Sequence, residues 1–294
     1  MADPSALNGK ILLLGSRGMI GTALAKHFSG PNLSAYSRQE LDITDYVSLE
    51  RAFLRLKPEI VLNAAAFTRV DDCEKFREAA FLVNAQAPGH LAALCKKHNS
   101  LLIHFSTDYV FDGSSNHPHR EDDSGNPANY YGVTKWEADK KILSSGCSYL
   151  IIRTSWIFGK SGDNFVKKIL KRALAGANIQ APSDQVGAPT YADDVGSAVR
   201  RLMTLRLQGL FNFTGSGSCS RFEQAQIILK LYGLNNSVEA VKNDGLHSPA
   251  KRPPCSLLEL TKYIESTGHT PRFWQQATAD YIEFLKQNEY ELRS

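Results

Sequence analysis

Tyr131-Gly-Val-Thr-Lys135 sets a phenol and an ammonium four residues apart. On a helix that spacing puts both side chains on one face. The pair suits carbonyl reduction, in which an oxygen gains negative charge as hydride arrives and needs a proton. A free phenol, with pKa near ~10, is a slow donor to regenerate at neutral pH. A nearby ammonium stabilises the phenolate and brings the transfer into range. Thr107, in Ser106-Thr107-Asp108, offers a hydroxyl to hold the carbonyl oxygen. Taken singly, Tyr-xxx-Lys also describes an ordinary surface pair, so the rest of the chain must supply its context.

That context begins with Gly15-Ser16-Arg17-Gly18-Met19-Ile20-Gly21, a GxxGxxG run between an apolar strand and a helical pattern. Glycines there let the backbone turn sharply and approach a pyrophosphate, while the helix N-terminus supplies free N–H groups. No Gly-Lys-Ser/Thr follows, which excludes a P-loop. The turn after the second strand carries Ser37 and Arg38, with Glu40 and Asp42 further on. An acid at the strand end suits a ribose 2′-hydroxyl and an arginine a 2′-phosphate. The expected cofactor is NADPH, with NADH as the alternative.

The elements that must position these groups alternate. Strands are expected at Ile11–Leu14, Leu33–Tyr36, Ile60–Leu62, Leu101–Phe105 and Tyr149–Ile152. Helices are expected at Met19–Phe28, Val47–Leu56 (capped by Thr44 or Asp45), Ala87–His98 and Tyr131–Leu143. Short apolar strands interleaved with helices imply a doubly wound parallel sheet. Beyond about residue 155 the pattern loosens. Helices Asn164–Ala175, Ala192–Leu205, Arg221–Tyr232 and Phe273–Lys286 are expected there, with strands at Leu210–Phe213 and Val238–Val241. The fold class is therefore α/β, a Rossmann-type doubly wound parallel sheet with a smaller, partly interleaved α/β substrate-binding lobe. We expect a dinucleotide-binding domain over 8–155 and mainly the lobe over 156–294, some of whose segments return to the first domain.

Composition narrows the class. The chain has 294 residues, 43% of them hydrophobic, enough for a large core. Its 34 Lys and Arg against 30 Asp and Glu give a net charge of +4 with no basic run, so neither nucleic acid nor a membrane surface is an expected partner. The N-terminal segment lacks the basic-then-apolar pattern of an export signal, and a cytoplasmic protein is expected. The five cysteines, scattered at 73, 95, 147, 219 and 255, suit free thiols rather than disulfides or zinc. His117 and His119 lie in a polar loop without a third ligand, so no metal site is expected. Asp71, Asp72 and Glu74 are expected to form a solvated acidic face. Phe273, Trp274, Tyr281, Phe284 and Leu285 form an apolar helix face.

A longer series of segments runs in order: LDITD at 41–45, NAAAFTRVDDCE at 63–74, STDYVFDG at 106–113, YGVTKWEAD at 131–139 and RTSWIFG at 153–159. Asn164-Phe165, DQVGAPT at 184–190 and Arg252-Pro-Pro-Cys-Ser256-Leu257 follow. Over about residues 11 to 257 the chain resembles the extended short-chain dehydrogenase/reductases, and within them the dTDP-4-dehydrorhamnose reductases. The resemblance implies NADPH-dependent reduction of the 4-keto group of a dTDP-4-keto-6-deoxy sugar. Tyr131 would donate the proton, Lys135 would lower its pKa and bind the nicotinamide ribose, and Thr107 would orient the keto group. The cofactor set becomes Gly15, Arg17, Gly18, Met19, Ile20, Gly21, Ser37, Arg38, Asp42 and Ile43 beside the adenine, then Ala64, Ala65, Ala66, Tyr131 and Lys135. The implied substrate set is Thr68, Val70, Thr107, Asp108, Trp156, Asn164, Gln185 and Arg252, the last suited to phosphate. Trp156, Gln185 and Arg252 equally suit core, turn and loop roles. Phe67, Met19 and Cys73 depart from the family pattern without touching the proposed hydride path. Some members use a metal such as Mg2+ at a dimer interface; a homodimer is expected, and nothing in the sequence places a metal. Another nucleotide-sugar 4-ketoreductase, an epimerase, or a non-catalytic cofactor-binding subunit like methionine adenosyltransferase β shares these motifs. Net NADPH consumption separates them.

Overall fold

The computed structural model describes residues 9–115, 117–242, 248–288 and Leu292. The strands are β1 (Ile11–Leu14), β2 (Leu33–Tyr36), β3 (Ile60–Asn63), β4 (Leu101–Thr107), β5 (Tyr149–Thr154), β6 (Ile157–Phe158), β7 (Ile179–Pro182), β8 (Val186–Gly187), β9 (Thr190–Tyr191), β10 (Gly209–Asn212), β11 (Cys219–Ser220) and β12 (Val238–Val241). The helices are α1 (Met19–His27), α2 (Tyr46–Leu56), α3 (Val70–Lys75), α4 (Arg77–Phe81), α5 (Ala87–His98), α6 (Tyr130–Ser144), α7 (Phe165–Leu174), α8 (Ala192–Thr204), α9 (Arg221–Tyr232), α10 (Thr261–Thr267) and α11 (Trp274–Gln287).

Six strands form one parallel sheet in the order β2-β1-β3-β4-β5-β10. Apolar residues on both faces of each central strand explain why it is covered twice. Ile11, Leu13, Leu62, Ile103 and Ile152 point to one face and pack with Leu24 of α1, Val195, Val199 and Leu202 of α8 and Tyr263 of α10. Leu12, Leu14, Val61, Leu102 and Ile151 point to the other, against Leu49 and Phe53 of α2, Leu91 and Cys95 of α5 and Ile142 of α6. A third core lies apart from the sheet. It joins Val166, Ile169 and Leu170 of α7, Ile228 and Leu229 of α9, and Tyr281, Ile282 and Leu285 of α11. The fold is thus Rossmann-type with an added lobe, and β10, α8 and α10 pack with the sheet.

Local chemistry fixes the helix starts. Asp45 accepts the Ser48 N–H at 3.0 Å at the start of α2, and Asn129 accepts the Gly132 N–H at 2.9 Å at the start of α6. Ser220 and Glu223 form a reciprocal capping box on α9.

The structure departs from the sequence reading in several places; besides the short strands β6, β7, β8, β9 and β11, which the sequence pattern does not predict, three stand out. The stretch 70–86, which lacks a clean period, forms α3, α4 and a π-helical segment, Leu82–Gln86. α10 is a further short helix with little periodicity. Phe273 is not on the buried face of α11; it precedes the helix as its N-cap and is 58% exposed.

Candidate active site

The strand order reverses between β1 and β3, so a crevice opens at their C-terminal ends. The glycine loop leaves β1 there. Gly15 has φ +76°, and a Cβ on it would lie 2.6 Å from the Ala65 N and 2.8 Å from the Ala64 carbonyl carbon. Only glycine lets these two backbones meet. Gly18 N–H donates to Gly15 O at 3.0 Å, closing the turn into α1. One cleft over this turn is lined by Gly15, Arg17, Gly18, Ser37, Arg38, Asp42, Ile43 and Ala64–Ala66. The Asp42 carboxylate accepts from Thr44 N and Oγ1 at 2.9 and 2.8 Å, and from Arg38 Nε at 3.1 Å. Burial opposes its charge, but these bonds prevail and hold it below the usual carboxylate range. Glu40 is likewise engaged, on the Ser37 N–H at 2.7 Å.

A second cavity, of about 430 Å³, shares Gly18 and Ala64–Ala66 with the first. Met19, Ile20, Thr68, Val70, Thr107, Asp108, Tyr131, Lys135 and Trp156 line it. Three elements therefore converge: the glycine loop, the end of β4 and the first turns of α6. Thr154 Oγ1 on the same wall is buried without a hydrogen-bond partner among the described residues. A glycine cradle, an arginine-edged cleft and an unmet buried hydroxyl together fit a dinucleotide with its reactive end in the second cavity.

Of the groups expected to handle the proton, Thr107, Asp108 and Lys135 are buried and Tyr131 is half-buried. Thr107 Oγ1 donates to Asp108 Oδ1 at 2.9 Å and accepts the Tyr109 N–H at 3.2 Å. Burial pushes Asp108 up to about 6, against hydrogen bonds from Ser256 and Thr107. Burial also raises the Tyr131 phenol well above its ordinary value, and the Asp108 charge adds to the shift. Lys135 is only 2% exposed. Burial pulls it down to about 8, while Asp139 acts to keep it charged. Its Nζ lies 3.0 Å from His104 Nε2, and His104 Nδ1 lies 3.2 Å from Asn63 Nδ2. The Lys135 ammonium is thus turned toward the sheet. Of the effects expected at Tyr131, burial outweighs any stabilisation of phenolate by this lysine.

Trp156 occupies the left-handed region, at φ +46°, which is costly for an aromatic residue and concentrates at working sites. Its indole lies against Gly187, where a Cβ would come within 2.3 Å of Cε2. Beneath the end of β4, Arg153 Nε pairs with Asp139 Oδ2 at 3.2 Å, and Ser106 Oγ donates to the same oxygen at 3.0 Å. This fully buried pair fastens β4, β5 and α6 together under Thr107.

Four sequence-predicted residues stand away from both cavity walls. Gly21 is buried one turn inside α1. Asn164 caps α7 and donates to Gly159 O and Tyr281 Oη at 2.9 and 3.0 Å. Gln185 is buried before β8. Arg252 makes a two-pronged pair with Asp71, both bonds 2.9 Å, and donates further to Ser248 Oγ and Ala250 O. The acidic cluster is accordingly not a free solvated face: Asp71 holds Arg252, Asp72 pairs with Arg69, and Glu74 with Arg77. His119 stacks on Phe111 at 3.8 Å and bonds Asp123. Among the described residues no group of three His, Cys, Asp or Glu is placed to hold a metal.

Three site residues escaped the sequence reading. His104 was visible only as one polar residue in an apolar strand. Asn84, from the π-helical segment, accepts the Phe67 N–H and donates to Phe67 O and Thr134 Oγ1, ordering the loop after β3. Arg221 reaches the cavity from the first turn of α9.

The chain resembles known proteins along most of its length. A family model described as the RmlD substrate binding domain matches residues 9–287. The spore coat polysaccharide biosynthesis protein SpsK of Bacillus subtilis is 34% identical over 276 residues, 93% of this chain and 97% of that one. A dTDP-4-dehydrorhamnose reductase of Aggregatibacter actinomycetemcomitans is 33% identical over 286 residues, covering 91% and 96%. The crystal structure of dTDP-4-dehydrorhamnose reductase from Bacillus anthracis in complex with NADP superposes with a TM-score of 0.91 at 27% identity, covering 95% of this chain and 100% of that one. With the glycine cradle and the Thr107–Tyr131–Lys135 cavity, these likenesses show that the chain belongs to the RmlD substrate-binding-domain family, that of the dTDP-4-dehydrorhamnose reductases among the extended short-chain dehydrogenase/reductases.

Proposed function

We propose that this protein is an NADPH-dependent nucleotide-sugar 4-ketoreductase that converts dTDP-4-dehydro-L-rhamnose to dTDP-L-rhamnose. The observation that carries the reading is the meeting of Thr107, Tyr131 and Lys135 in one cavity at the mouth of the glycine loop. Gly15, Arg17, Gly18, Met19, Ile20, Ser37, Arg38, Asp42, Ile43 and Ala64–Ala66 would hold the cofactor, with Arg38 and Arg17 suited to a 2′-phosphate. When bound, NADPH supplies the hydride that forms the new C4–H bond.

The chain's own groups manage the oxygen. Thr107 orients the keto group, and Tyr131 gives its phenolic proton to the C4 oxygen as negative charge develops there. Burial keeps that phenol protonated at neutral pH, which is the form a donor needs. The demand falls on the phenolate left behind, and Lys135, which lines the same cavity, would meet it by turning its ammonium from His104 toward Tyr131. Asp139, four residues further along α6, opposes the loss of that charge on burial. Asp108 and Trp156 line the same cavity and would face the sugar.

Residues 8–155 act as the cofactor domain and 156–294 mainly as the substrate lobe. We assign the protein to the cytoplasm. No helix among the described residues is long and apolar enough to cross a membrane. The test is NADPH oxidation, followed by absorbance, with the dTDP-4-keto-6-deoxy-L-sugar. Tyr131→Phe removes the donor while keeping the ring, and a general acid is worth typically ~10²–10⁴-fold in rate. Turnover by wild type with a loss of that order in the variant, at unchanged NADPH affinity, supports the reading. A wild-type protein that leaves NADPH unoxidised overturns it.

A further inference from the structure

Arg221 is the first residue of α9, directly after its N-cap, Ser220. Its guanidinium lies 3.5 Å over the Trp156 ring and 4.7 Å over the Phe165 ring, and all three residues line the second cavity. Nη1 donates to Gln224 Oε1 at 2.9 Å. Among the described residues no carboxylate forms an ion pair with it. A half-buried cation without a directly paired carboxylate is a costly arrangement. Burial draws the guanidinium down to about 10; Tyr109, Cys219 and Asp108 act to keep it charged, and Arg252 acts against that charge. Arg252 is held by a two-pronged pair with Asp71 and donates further to Ser248 and Ala250. Of the two arginines, Arg221 is the one without a carboxylate partner and with the cavity in front of it.

We propose that Arg221 binds the diphosphate of the nucleotide-sugar substrate and so sets specificity for a nucleoside-diphosphate sugar, while Arg252 clasps the 248–252 loop onto α3. An anion beside Arg221 supplies the missing counter-charge and relieves the repulsion between the two arginines. The planar fork suits phosphate oxygens, and stacking on Trp156 and Phe165 fixes its plane before the ligand arrives. The strained Trp156 backbone then has a purpose, since it presents the indole on which the guanidinium rests. Arg221 would contact the substrate and not the cofactor. The inference rests on the nucleotide-sugar reading above, and the probes are chosen to fail separately from it.

The experiment is titration calorimetry of dTDP, UDP, GDP and thymidine into the NADPH-saturated protein, for wild type, Arg221→Met and Arg221→Lys. One charge-assisted contact corresponds to roughly 10- to 100-fold in affinity. Arg221→Met should lose that factor for dTDP while its affinities for thymidine and for NADPH stay as in wild type. Arg221→Lys, which keeps the charge without the fork, should fall between. Equal dTDP affinity in wild type and Arg221→Met overturns the inference, as does an equal loss for dTDP and thymidine. UDP or GDP bound more tightly than dTDP, with the same dependence on Arg221, keeps the inference and overturns the thymidine assignment. A wild-type protein that binds no nucleoside diphosphate overturns both.

Discussion

Gly187→Ala tests whether the wall of the cavity is built as described. The added Cβ would sit 2.3 Å from Trp156 Cε2, 2.6 Å from Cζ2 and 2.7 Å from Nε1. Carbon atoms rest at about 3.5–4.0 Å, so the indole must move by more than about an ångström. It has little freedom to do so, because Arg221 already lies 3.5 Å over the ring and the Trp156 backbone is held at φ +46°. Gly187 is itself fixed, pairing with Cys219 across β8 and β11. Overpacking of this kind costs about 1–3 kcal/mol. For a chain of this size that corresponds to a fall in Tm of roughly 2–10 °C. Differential scanning calorimetry on the NADPH-bound protein reads the loss, and KM for the nucleotide sugar should rise while NADPH affinity holds. Adding Trp156→Phe to Gly187→Ala should recover part of the lost stability, since the smaller ring vacates the contested space. The double-mutant cycle then shows coupling between the two sites. Unchanged Tm and KM in Gly187→Ala, or strict additivity with Trp156→Phe, would refute the packing argument.

Two further predictions concern charge. Arg38→Ala should reduce the preference for NADPH over NADH, measured as the ratio of the two dissociation constants; an unchanged ratio removes Arg38 from cofactor selection. Lys135 faces His104 from β4 and Asp139 from its own helix, and burial lowers it to about 8. Its pKa is depressed on folding, so its contribution to stability is fullest at high pH and is lost as pH falls through about 8. Catalysis has the opposite sign, because it needs the ammonium. At saturating NADPH, kcat/KM should therefore fall as pH rises through about 8, and Lys135→Met should remove this limb along with most of the activity. A flat alkaline limb in wild type contradicts the role given to Lys135.

What could be seen in the sequence is what local pattern encodes. Apolar runs such as Ile11–Leu14 fixed the sheet strands, the glycines marked the turn after β1, and Tyr131 with Lys135 needed only the helical period to share a face. Capping was also legible, as at Asp45, although Thr44 competed for the role until the structure placed its hydroxyl on Asp42. The contacts that escaped are non-local. Asp71 and Arg252 are 181 residues apart. Trp156, Gly187 and Arg221 come from three segments whose meeting depends on how the lobe docks. Ser220-x-x-Glu223 does announce a helix start, and with it the position of Arg221, but nothing local says which cavity that start overlooks. The π-helical segment 82–86 lacks the 3.6-residue period, so the inward turn of Asn84 had no sequence signature.

The central claim is that Tyr131 protonates a keto oxygen while NADPH delivers hydride to the adjacent carbon. The most direct measurement is single-turnover reduction of the dTDP-4-keto-6-deoxy-L-sugar by the NADPH-loaded protein, with NADPH absorbance and product followed together for wild type and Tyr131→Phe. The account predicts one NADPH oxidised per sugar reduced in wild type, and in Tyr131→Phe a rate lower by about 10²–10⁴-fold with cofactor still bound. Sugar converted without net NADPH oxidation, or a Tyr131→Phe variant as fast as wild type, would contradict it.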